Sequence, residues 1–434
     1  MGQVQADSTS FENAAPAPAP NDIDKNVGIG AWYTLFVLTC VYTLAQIDRK
    51  VISIVAEPIK HELQLSDSQL GALTGLVFGI PNALMLLPMG LLLDRYSRKT
   101  IIAGMLAIWS TACAATGFAG TYLHLMFARG AVGAAESAPA SGCLSIIADI
   151  FPARLRPVAT SLFQGSTPIA AILCFTVITW VAVDHGWRWA FFAAGLPGLA
   201  VCLLLLLTVR EPLRGRLDGK AVSGARASLG EAFRFVYREK RAFHYVVGPA
   251  LVSSGSSGLM LWLPSFLMRE RGMTMADVGY LLAITSGVVT AVALAASGPL
   301  AARFAGGNDR KLALVPIFTV SMAAISALFF LTAGTNTTMI AGIAVFTIFN
   351  TLYLSLGYTL LLAVAPPHMR GTVLAIELIA ANLLGYAGGP FFVGILSDTI
   401  GGPHALQYAL TLTIALYVWG TFHFYLGYRS VSAR

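Results

Sequence analysis

Residues 90–99 read GLLLDRYSRK and form a short, strongly basic loop between two long apolar runs, at 69–93 and 100–119. Each run is long enough to cross a bilayer, because a spanning helix needs roughly 20 mostly apolar residues. The sequence predicts an all-α polytopic membrane protein with twelve transmembrane helices. The other ten apolar runs lie near 30–58, 122–149, 158–183, 188–209, 243–268, 276–302, 311–333, 338–365, 371–397 and 404–427.

The composition of the 434-residue chain agrees with this prediction and argues against a soluble enzyme. Hydrophobic residues make up 56% and charged residues only 11%, whereas a soluble domain carries roughly 25% charged residues. The five cysteines lie in apolar runs without CxxC spacing, so we expect reduced packing residues and no disulfide or metal site. The chain has no GxxxxGK[ST] phosphate loop and its histidines are scattered. We therefore expect no enzymatic activity.

The longest polar segment, 210–241, divides the predicted helices into six and six. We therefore expect two pseudo-symmetric six-helix bundles, at 28–209 and 242–428, as in many transporters. The segment between them is predicted to be a cytoplasmic linker, with an interfacial helix at its aromatic and basic end, FRFVYREKR. The AAPAPAP run predicts a disordered tail over 1–27. A second short cytoplasmic tail is expected at 429–434.

The distribution of Lys and Arg predicts the orientation in the membrane. An even number of spans places both termini on one side, and basic residues favour the cytoplasmic side. With cytoplasmic termini, the outer loops contain only four of the 28 basic residues, namely Lys60, Arg188, Arg269 and Arg271. The net charge of +7 is then explained by loops that face anionic membrane lipids, and no nucleic-acid partner is needed. We expect a monomer in a bacterial inner membrane.

The loop at 90–99 resembles the signature loop of the major facilitator superfamily, and RGAVGAAE at 129–136 resembles the helix-4 pattern of its proton antiporters. The segment Gly298-Pro-Leu-Ala-Ala-Arg303 looks like a degenerate second copy, with Ala302 where Asp94 would align. The resemblance implies a conformational latch that stabilises an outward-open state; an ordinary positive-inside loop is the alternative. The implied latch residues are Gly90, Asp94, Arg95 and Arg98.

Within that superfamily the chain is similar to the Spinster family, through Asp48-Arg49, the DRYSRK loop and RGAVGAAESAPASGCLSIIADIFP at 129–152. This resemblance implies a proton-linked carrier of lysophospholipids or sphingosine phosphate. Organic anion symporters look similar too, through GWRWAFF at 186–192 and WLPSFL at 262–267. The substrate therefore stays open between an amphiphilic anionic lipid and a small organic anion. A non-transporting receptor or a channel-like protein is a third alternative.

Charged residues inside a membrane span are costly and are therefore candidates for function. At 1.5 Å per residue, Asp48 lies about 27 Å along the first helix, and Arg129 lies about 10 Å along the fourth, which runs the opposite way. These depths coincide, so we expect the two side chains to meet. Glu136 follows Arg129 by seven residues and shares its helix face.

The resemblance implies that the first, fourth, seventh and tenth helices line a central cavity, and hence that Asp48, Glu136, Arg49 and Arg129 face it together. Burial favours the neutral carboxyl form and a nearby arginine favours the carboxylate. We therefore expect the two acids to carry a coupling proton, with no other cofactor, while the arginines gate them or bind an anionic headgroup. A static network that pins the first helix to the fourth is the alternative.

Other polar and aromatic residues of the spans are weaker candidates, because helix packing explains them as well. Lys50 is about 100° around the helix from Arg49, so we expect it to snorkel outward or to meet a neighbouring helix. Glu377 is either a second protonation site or a cap contact. The predicted substrate-binding residues are Tyr42, Gln46, Ser254, Ser257, Trp262, Asn350, Tyr353 and Glu377.

Overall fold

The computed structural model describes residues 27–214, 228–305, 309–366 and 368–432. In these residues eleven helices are long and apolar enough to cross a membrane, and no strand is present. A further helix of 29 residues, Asn336–Val364, contains no charged side chain and completes a set of twelve. In chain order they are α1 Ile29–Ile54, α2 Asp67–Arg95, α3 Arg98–Thr116, α4 Tyr122–Ile150, α5 Arg156–His185, α6 Trp187–Thr208, α7 Lys240–Arg269, α8 Met275–Leu300, α9 Lys311–Thr332, α10 Asn336–Val364, α11 Arg370–Ile400 and α12 Ala405–Ser430. The predicted all-α fold is confirmed.

Several of these helices are irregular where the two halves of the molecule meet. A wider, π-helical turn interrupts α5, α8 and α11, and such turns are frequent at functional sites. The π-helical segments of α5 and α8 pack against each other's helices, and that of α11 packs against α2. The three segments are Cys174–Ile178, Ala283–Val289 and Ala381–Ala387.

The two halves are joined mainly at one end of the bundle, which we call the closed face. It contains the segment 55–66, which includes a short helix at Ala56–Leu63, and the loops at 270–274 and 401–404. The opposite end, the linker face, contains residues 96–97 and 209–214. The helical segments near the linker face, including Pro139–Ile150 of α4 and Arg370–Ala380 of α11, pack mainly within their own half. The halves are therefore held together at the closed face and separate toward the linker face.

Three glycines of α2 allow the closest approach between the halves. Gly71, Gly75 and Gly79 recur at every fourth residue and so lie on one helix face. A Cβ atom at each position would collide with α11, at the backbone of Pro390 or at Ala387. Small residues allow helix backbones in membranes to pack this closely. The contact between α2 and α11 is thus a large part of the closed face.

A short amphipathic helix, Leu229–Arg238, precedes α7 and packs against α7 and α11. It begins with a capping box, in which the Ser228 hydroxyl accepts the Glu231 amide and the Glu231 carboxylate accepts the Ser228 amide. This helix lies where an interfacial helix is predicted within 210–241. The remainder of that linker, at 215–227, lies outside the described residues, as do residues 1–26 and 433–434 of the predicted tails.

Candidate functional site

The predicted contact between α1 and α4 is present. Arg129 Nη1 lies 3.2 Å from Asp48 Oδ1 and also donates to the Asp48 carbonyl oxygen at 3.3 Å. Both side chains are only 2% exposed. The agreement follows because helical rise fixes the depth of each residue once the direction of each helix is known.

A second ion pair lies beside the first. Arg49 Nε donates to Glu136 Oε2 at 2.6 Å, with the Glu136 side chain inaccessible and the Arg49 side chain 19% exposed. Glu136 follows the first stretch of α4, Tyr122–Ala135, and the helix resumes at Pro139. Proline has no amide hydrogen to continue the hydrogen-bond ladder and suits the first turn of a new helix. The break in α4 therefore places Glu136 where it faces Arg49.

Each of the two carboxylates is paired through one oxygen only. Asp48 Oδ2 and Glu136 Oε1 are buried and have no hydrogen-bond partner in the described part of the chain. A buried polar atom without a partner costs about 1–3 kcal/mol. The second oxygen of each carboxylate is therefore free to take up a proton, which would neutralise that group. The four residues, which we call the charge network, are therefore chemically able to take up and release a proton.

Two aromatic residues, which the sequence did not single out, cover the arginines of the charge network. The Phe78 ring centre lies 5.1 Å from Arg49 Cζ and 5.2 Å from Arg129 Cζ, and the Tyr386 ring centre lies 5.8 Å from Arg49 Cζ. These are cation–π distances. Tyr386 belongs to the π-helical segment of α11, so the other half of the molecule contacts the network. The glycines around Phe78, spaced four apart, were the available signal for this close approach.

Two predicted binding residues of α1 lie along its contact with α5. The Gln46 amide donates to Thr167 Oγ1 at 2.8 Å, and the Tyr42 ring stacks on Phe163 with ring centres 4.8 Å apart. Lys50 is half-buried on the same side, with Cys174 of α5 among its titratable neighbours. Of the two alternatives for Lys50, the structure shows the meeting with a neighbouring helix.

The predicted binding residues of α7 are packing residues in this conformation. Ser257 donates to the Gly385 carbonyl oxygen at 2.7 Å, and the Trp262 indole donates to that of Pro390 at 2.9 Å. Both side chains are buried and contact α11 in this conformation, and their predicted substrate contact stays a prediction. Ser254 is half-buried, and its carbonyl oxygen packs closely on Gly389.

The predicted binding residues of α10 join it to neighbouring helices. The Asn350 amide donates to Ser256 Oγ at 3.0 Å, and its oxygen accepts the Tyr417 hydroxyl at 3.0 Å. Tyr353 is buried, with its ring edge-on to Phe424 at 5.8 Å. Helix packing therefore explains Tyr353 in this conformation, while Asn350 remains half-buried at the contact of α7, α10 and α12.

Glu377 is not part of the charge network. It follows Arg370, at the start of α11, by seven residues, or about 10 Å along the helix, whereas Tyr386 lies further along toward the closed face. The Glu377 side chain is 2% exposed, and Oε2 has no partner among the described residues. A capping contact is therefore not seen, and the second protonation site remains a prediction.

In the loop at 90–99, only Arg98 makes ion pairs with described residues. Its guanidinium pairs with Asp149 at 2.5 Å and with Glu211 at 3.0 Å, and all three belong to the first half. Partial burial acts to raise the pKa of Glu211, but hydrogen bonds from the Lys99 amide and from the Arg98 and Ser97 side chains outweigh it and lower this pKa. Sequence reasoning missed both carboxylate partners, because they lie 51 and 113 residues away in the chain.

The other predicted latch residues are exposed or loosely packed. Asp94 and Arg95 are exposed, and their side chains make no ion pair in the described part of the chain. A Cβ atom at Gly90 would touch nothing within 4 Å. Arg214 donates to the carbonyl oxygens of Asp94 and Tyr96. Of the predicted latch residues, only Arg98 is thus paired in the described part of the chain, and the latch itself stays a prediction.

An ion network at the closed face connects the halves, and sequence reasoning missed it. Arg269, at the end of α7, pairs with Glu57 at 2.7 Å and with Asp67 at 2.8 Å. Asp67 also pairs with Lys60 and accepts the Ser397 hydroxyl at 2.6 Å. These residues lie in loops and at helix ends. Charged side chains are ordinary there, so their presence does not predict a contact between the halves.

A carboxylate of α11 completes this contact by capping α2. Asp398 accepts the backbone amides of Asp67 and Ser68 at 3.0 and 2.7 Å. An acidic group is favourable at a helix N-terminus, where amides lack partners within the helix. Here the cap comes from the other half of the molecule, so separating the halves at this face would leave these amides without it.

This fold and its buried charges define a class of protein. The family model described as Major Facilitator Superfamily matches residues 38–377, and the chain belongs to this superfamily. Fold and family are those of a transporter and not of an enzyme.

Similar proteins confirm the Spinster resemblance within the superfamily. Protein spinster homolog 1 of Xenopus laevis is 29% identical over 413 residues, covering 87% of this chain and 77% of that protein. A bacterial homolog to the human lysosomal transporter Spinster, solved in an inward-facing and unoccupied conformation, superposes with a TM-score of 0.82 at 25% identity, covering 92% of this chain and 97% of that one. An MFS-type efflux pump of Mycolicibacterium smegmatis is 29% identical over 393 residues, covering 89% of each chain. The chain is thus a multi-pass membrane transporter of the major facilitator superfamily that resembles Spinster proteins.

Proposed function

We propose that this transporter moves an amphiphilic anionic lipid, such as a lysophospholipid or a sphingosine-phosphate-like molecule, by alternating access coupled to a proton. The observation that carries the proposal is the buried pair of Arg49 and Glu136, in which one carboxylate oxygen has no partner. Such a pair is stable when ionised and is also able to accept a proton, which a coupling site requires.

The arrangement of the two faces supports alternating access. The closed face is held by the contact of α2 with α11 and by the ion network of Arg269, while the halves separate toward the linker face. Tyr386 and Phe78 lie between the charge network and the α2–α11 contact. A change of charge at Glu136 therefore acts next to the surface that has to part when the closed face opens.

The lipid substrate is what the Spinster resemblance implies, and the stacked aromatic pair of Tyr42 and Phe163 supports it by offering an apolar surface in the first half. The second candidate, proton symport of small organic anions, is favoured by a further relative. A probable galactarate/D-glucarate transporter of Bacillus subtilis is 26% identical over 277 residues, covering 58% of this chain and 61% of that protein. Both candidates use the same charge network. They differ in the substrate that binds beside it, which is an amphiphilic lipid in the first and a small organic anion in the second.

The distribution of basic residues supports an orientation in which the linker face is cytoplasmic and a location in a bacterial inner membrane. In that orientation the structure is open toward the cytoplasm. We further propose that a monomer is sufficient for transport, because both halves of the site belong to one chain.

Flux through the full chain in liposomes tests the proposal. Uptake of a fluorescent lysophospholipid and of labelled glucarate is measured with and without an imposed pH gradient. Saturable lysophospholipid flux that the gradient accelerates supports the proposal, and gradient-driven flux of glucarate alone favours the second candidate. An ohmic current without saturation, or no flux of either compound, contradicts both.

A further inference from the structure

One cation in the interior of the first half is left over when the ion pairs are assigned. Arg129 pairs with Asp48, and Arg49 pairs with Glu136. Lys50 follows Arg49 directly, is half-buried in α1, and makes no ion pair or hydrogen bond through its ammonium group in the described residues. The charge network is therefore formally neutral, and Lys50 adds one uncompensated positive charge beside it.

A positive charge at this depth requires compensation. A lysine inside a membrane span is costly and normally faces a partner or a water-filled cavity. The titratable neighbours of Lys50 are the Cys174 thiol and the Arg49 guanidinium. Neither is an anion that would balance the lysine, because Cys174 is a buried free thiol and Arg49 is a cation. An anion from outside the described chain would supply this compensation.

The surroundings of Lys50 form a graded surface on one side of α1. Gln46 and Tyr42 precede Lys50 by four and eight residues, so the three side chains lie on one helix face. All three are half-buried. From the closed face toward the linker face, this surface presents an ammonium group, then a primary amide, then an aromatic ring stacked on Phe163. We call it the α1 stripe.

The α1 stripe matches a ligand with an anionic head and an apolar body. The ammonium of Lys50 supplies charge-assisted hydrogen bonds to a phosphate or carboxylate oxygen. Gln46 has a second amide hydrogen, besides the one donated to Thr167, that is available to the same group. The rings of Tyr42 and Phe163 offer an apolar surface one turn further from the charge.

We propose that Lys50, supported by Gln46, binds the anionic oxygen group of the transported molecule at the end of the α1 stripe nearer the closed face. This site rests on the proposed transport function and names the chemistry of its substrate. The group is a phosphate or carboxylate, carried either by a lysolipid head or by a small organic anion. A ligand held there lies next to Arg49, and hence next to the pair proposed to bind the proton.

Equilibrium binding to the purified full chain in nanodiscs tests the site. The probes are oleoyl lysophosphatidic acid, uncharged monoolein, glucarate and inorganic phosphate. Removing the charge in Lys50→Gln is expected to weaken lysophosphatidic acid binding about tenfold or more, because a hydrogen bond to a charged group is worth about 1.5–3 kcal/mol. Monoolein binding is expected to stay unchanged, and Lys50→Arg is expected to retain affinity within about threefold.

The matched control is Lys240→Gln, the same substitution at an exposed lysine at the start of α7. It is expected to leave every affinity unchanged. If Lys50→Gln loses affinity for glucarate and phosphate alone, the result supports the site and assigns the anionic group to a small molecule. Lys50→Met replaces Lys50→Gln if the latter does not fold, as judged by a monodisperse profile.

The outcomes separate this inference from the proposed function. If Lys50→Gln binds every anion as tightly as the wild type, the Lys50 site is overturned, and the proposed function stands as long as the wild type still transports with a pH gradient. If wild-type protein shows no proton-driven flux of any anion, the proposed function fails first. Equal losses for lysophosphatidic acid and monoolein would also overturn the site, because they indicate lost packing and not a lost charge.

Discussion

The two halves of this transporter make equivalent helix contacts with different chemistry. In the first half, α1 meets α4 through two buried ion pairs, Asp48–Arg129 and Arg49–Glu136. In the second half, α7 meets α10 through a neutral hydrogen bond between Ser256 and Asn350. The first contact contains carboxyl groups, each with one unpartnered oxygen among the described residues, whereas the second consists of neutral groups. The comparison therefore directs the tests of the proposed proton coupling to the first half.

The largest expected effect is on stability, at the fully buried pair. Arg129→Met removes the partner of Asp48 and leaves a buried charge, which costs about 3–5 kcal/mol. Chemical unfolding in detergent should show this loss. Adding Asp48→Asn should restore a large part of it, because the uncompensated charge is then gone. A single variant as stable as the wild type would contradict the assigned pair.

The next effect concerns coupling. Glu136→Gln keeps the shape of the side chain but removes its ability to change charge, so flux driven by a pH gradient is expected to fall about tenfold or more. Substrate binding should persist, since the arginines remain. The measurement is liposome uptake with and without the gradient. Gradient-driven transport at the wild-type rate would remove Glu136 from the coupling mechanism.

The third test concerns the ion pairs that join the two halves at the closed face. Arg269→Gln removes two ion pairs across the interface. If the closed face loses about 1.4 kcal/mol of stabilisation, the population of molecules that are open at this face should rise about tenfold. Spin-label distances between the halves measure it. Arg271→Gln is the matched control, because Arg271 donates only to the Leu331 and Ala333 carbonyl oxygens of its own half.

A smaller effect is expected at the neutral contact of the second half. Asn350→Ala removes hydrogen bonds to Ser256 and Tyr417, and the unfolding free energy should fall by about 1 kcal/mol. The pH dependence of transport should not change, because no proton-exchanging group is involved. A variant with altered pH dependence would refute the division of roles between the halves.

The smallest effect is at Glu211, outside the membrane spans. Its folded-state pKa is lowered, because the Lys99 amide and the Arg98 and Ser97 side chains outweigh the opposing effect of burial. Its stabilisation is therefore present above the unfolded pKa and is lost as pH falls through the folded pKa, below about pH 4.3. Glu211→Gln should remove this loss of stability at acid pH, which amounts to under about 1 kcal/mol. Thermal unfolding at several pH values measures it. Equal acid sensitivity of variant and wild type would contradict it.

Much of the fold and part of the site could be predicted from the sequence. Apolar runs determine where helices cross a membrane, and the twelve predicted runs match the observed helices within a few residues, because backbone groups in lipid must be satisfied within a helix. The regular rise of a helix also gives the depths of Asp48 and Arg129 in the membrane, and these depths predict their contact. The substrate roles of Ser257 and Trp262 stay predictions, and their contacts with α11 could not be predicted, because the rotation of α7 about its axis depends on tertiary packing.

The sequence by itself therefore determined the number of helices and their depth-matched charges, since these depend on local composition and helical rise, while the motifs at 90–99 and 129–136 supplied the resemblance to a transporter superfamily. Only the tertiary structure decided that Tyr386 reaches the charge network, that Arg269 and Asp398 close one face, and that Lys50 is half-buried without an ion pair among the described residues. These features join segments far apart in the chain, and they depend on how the helices rotate and on which face of the molecule is closed.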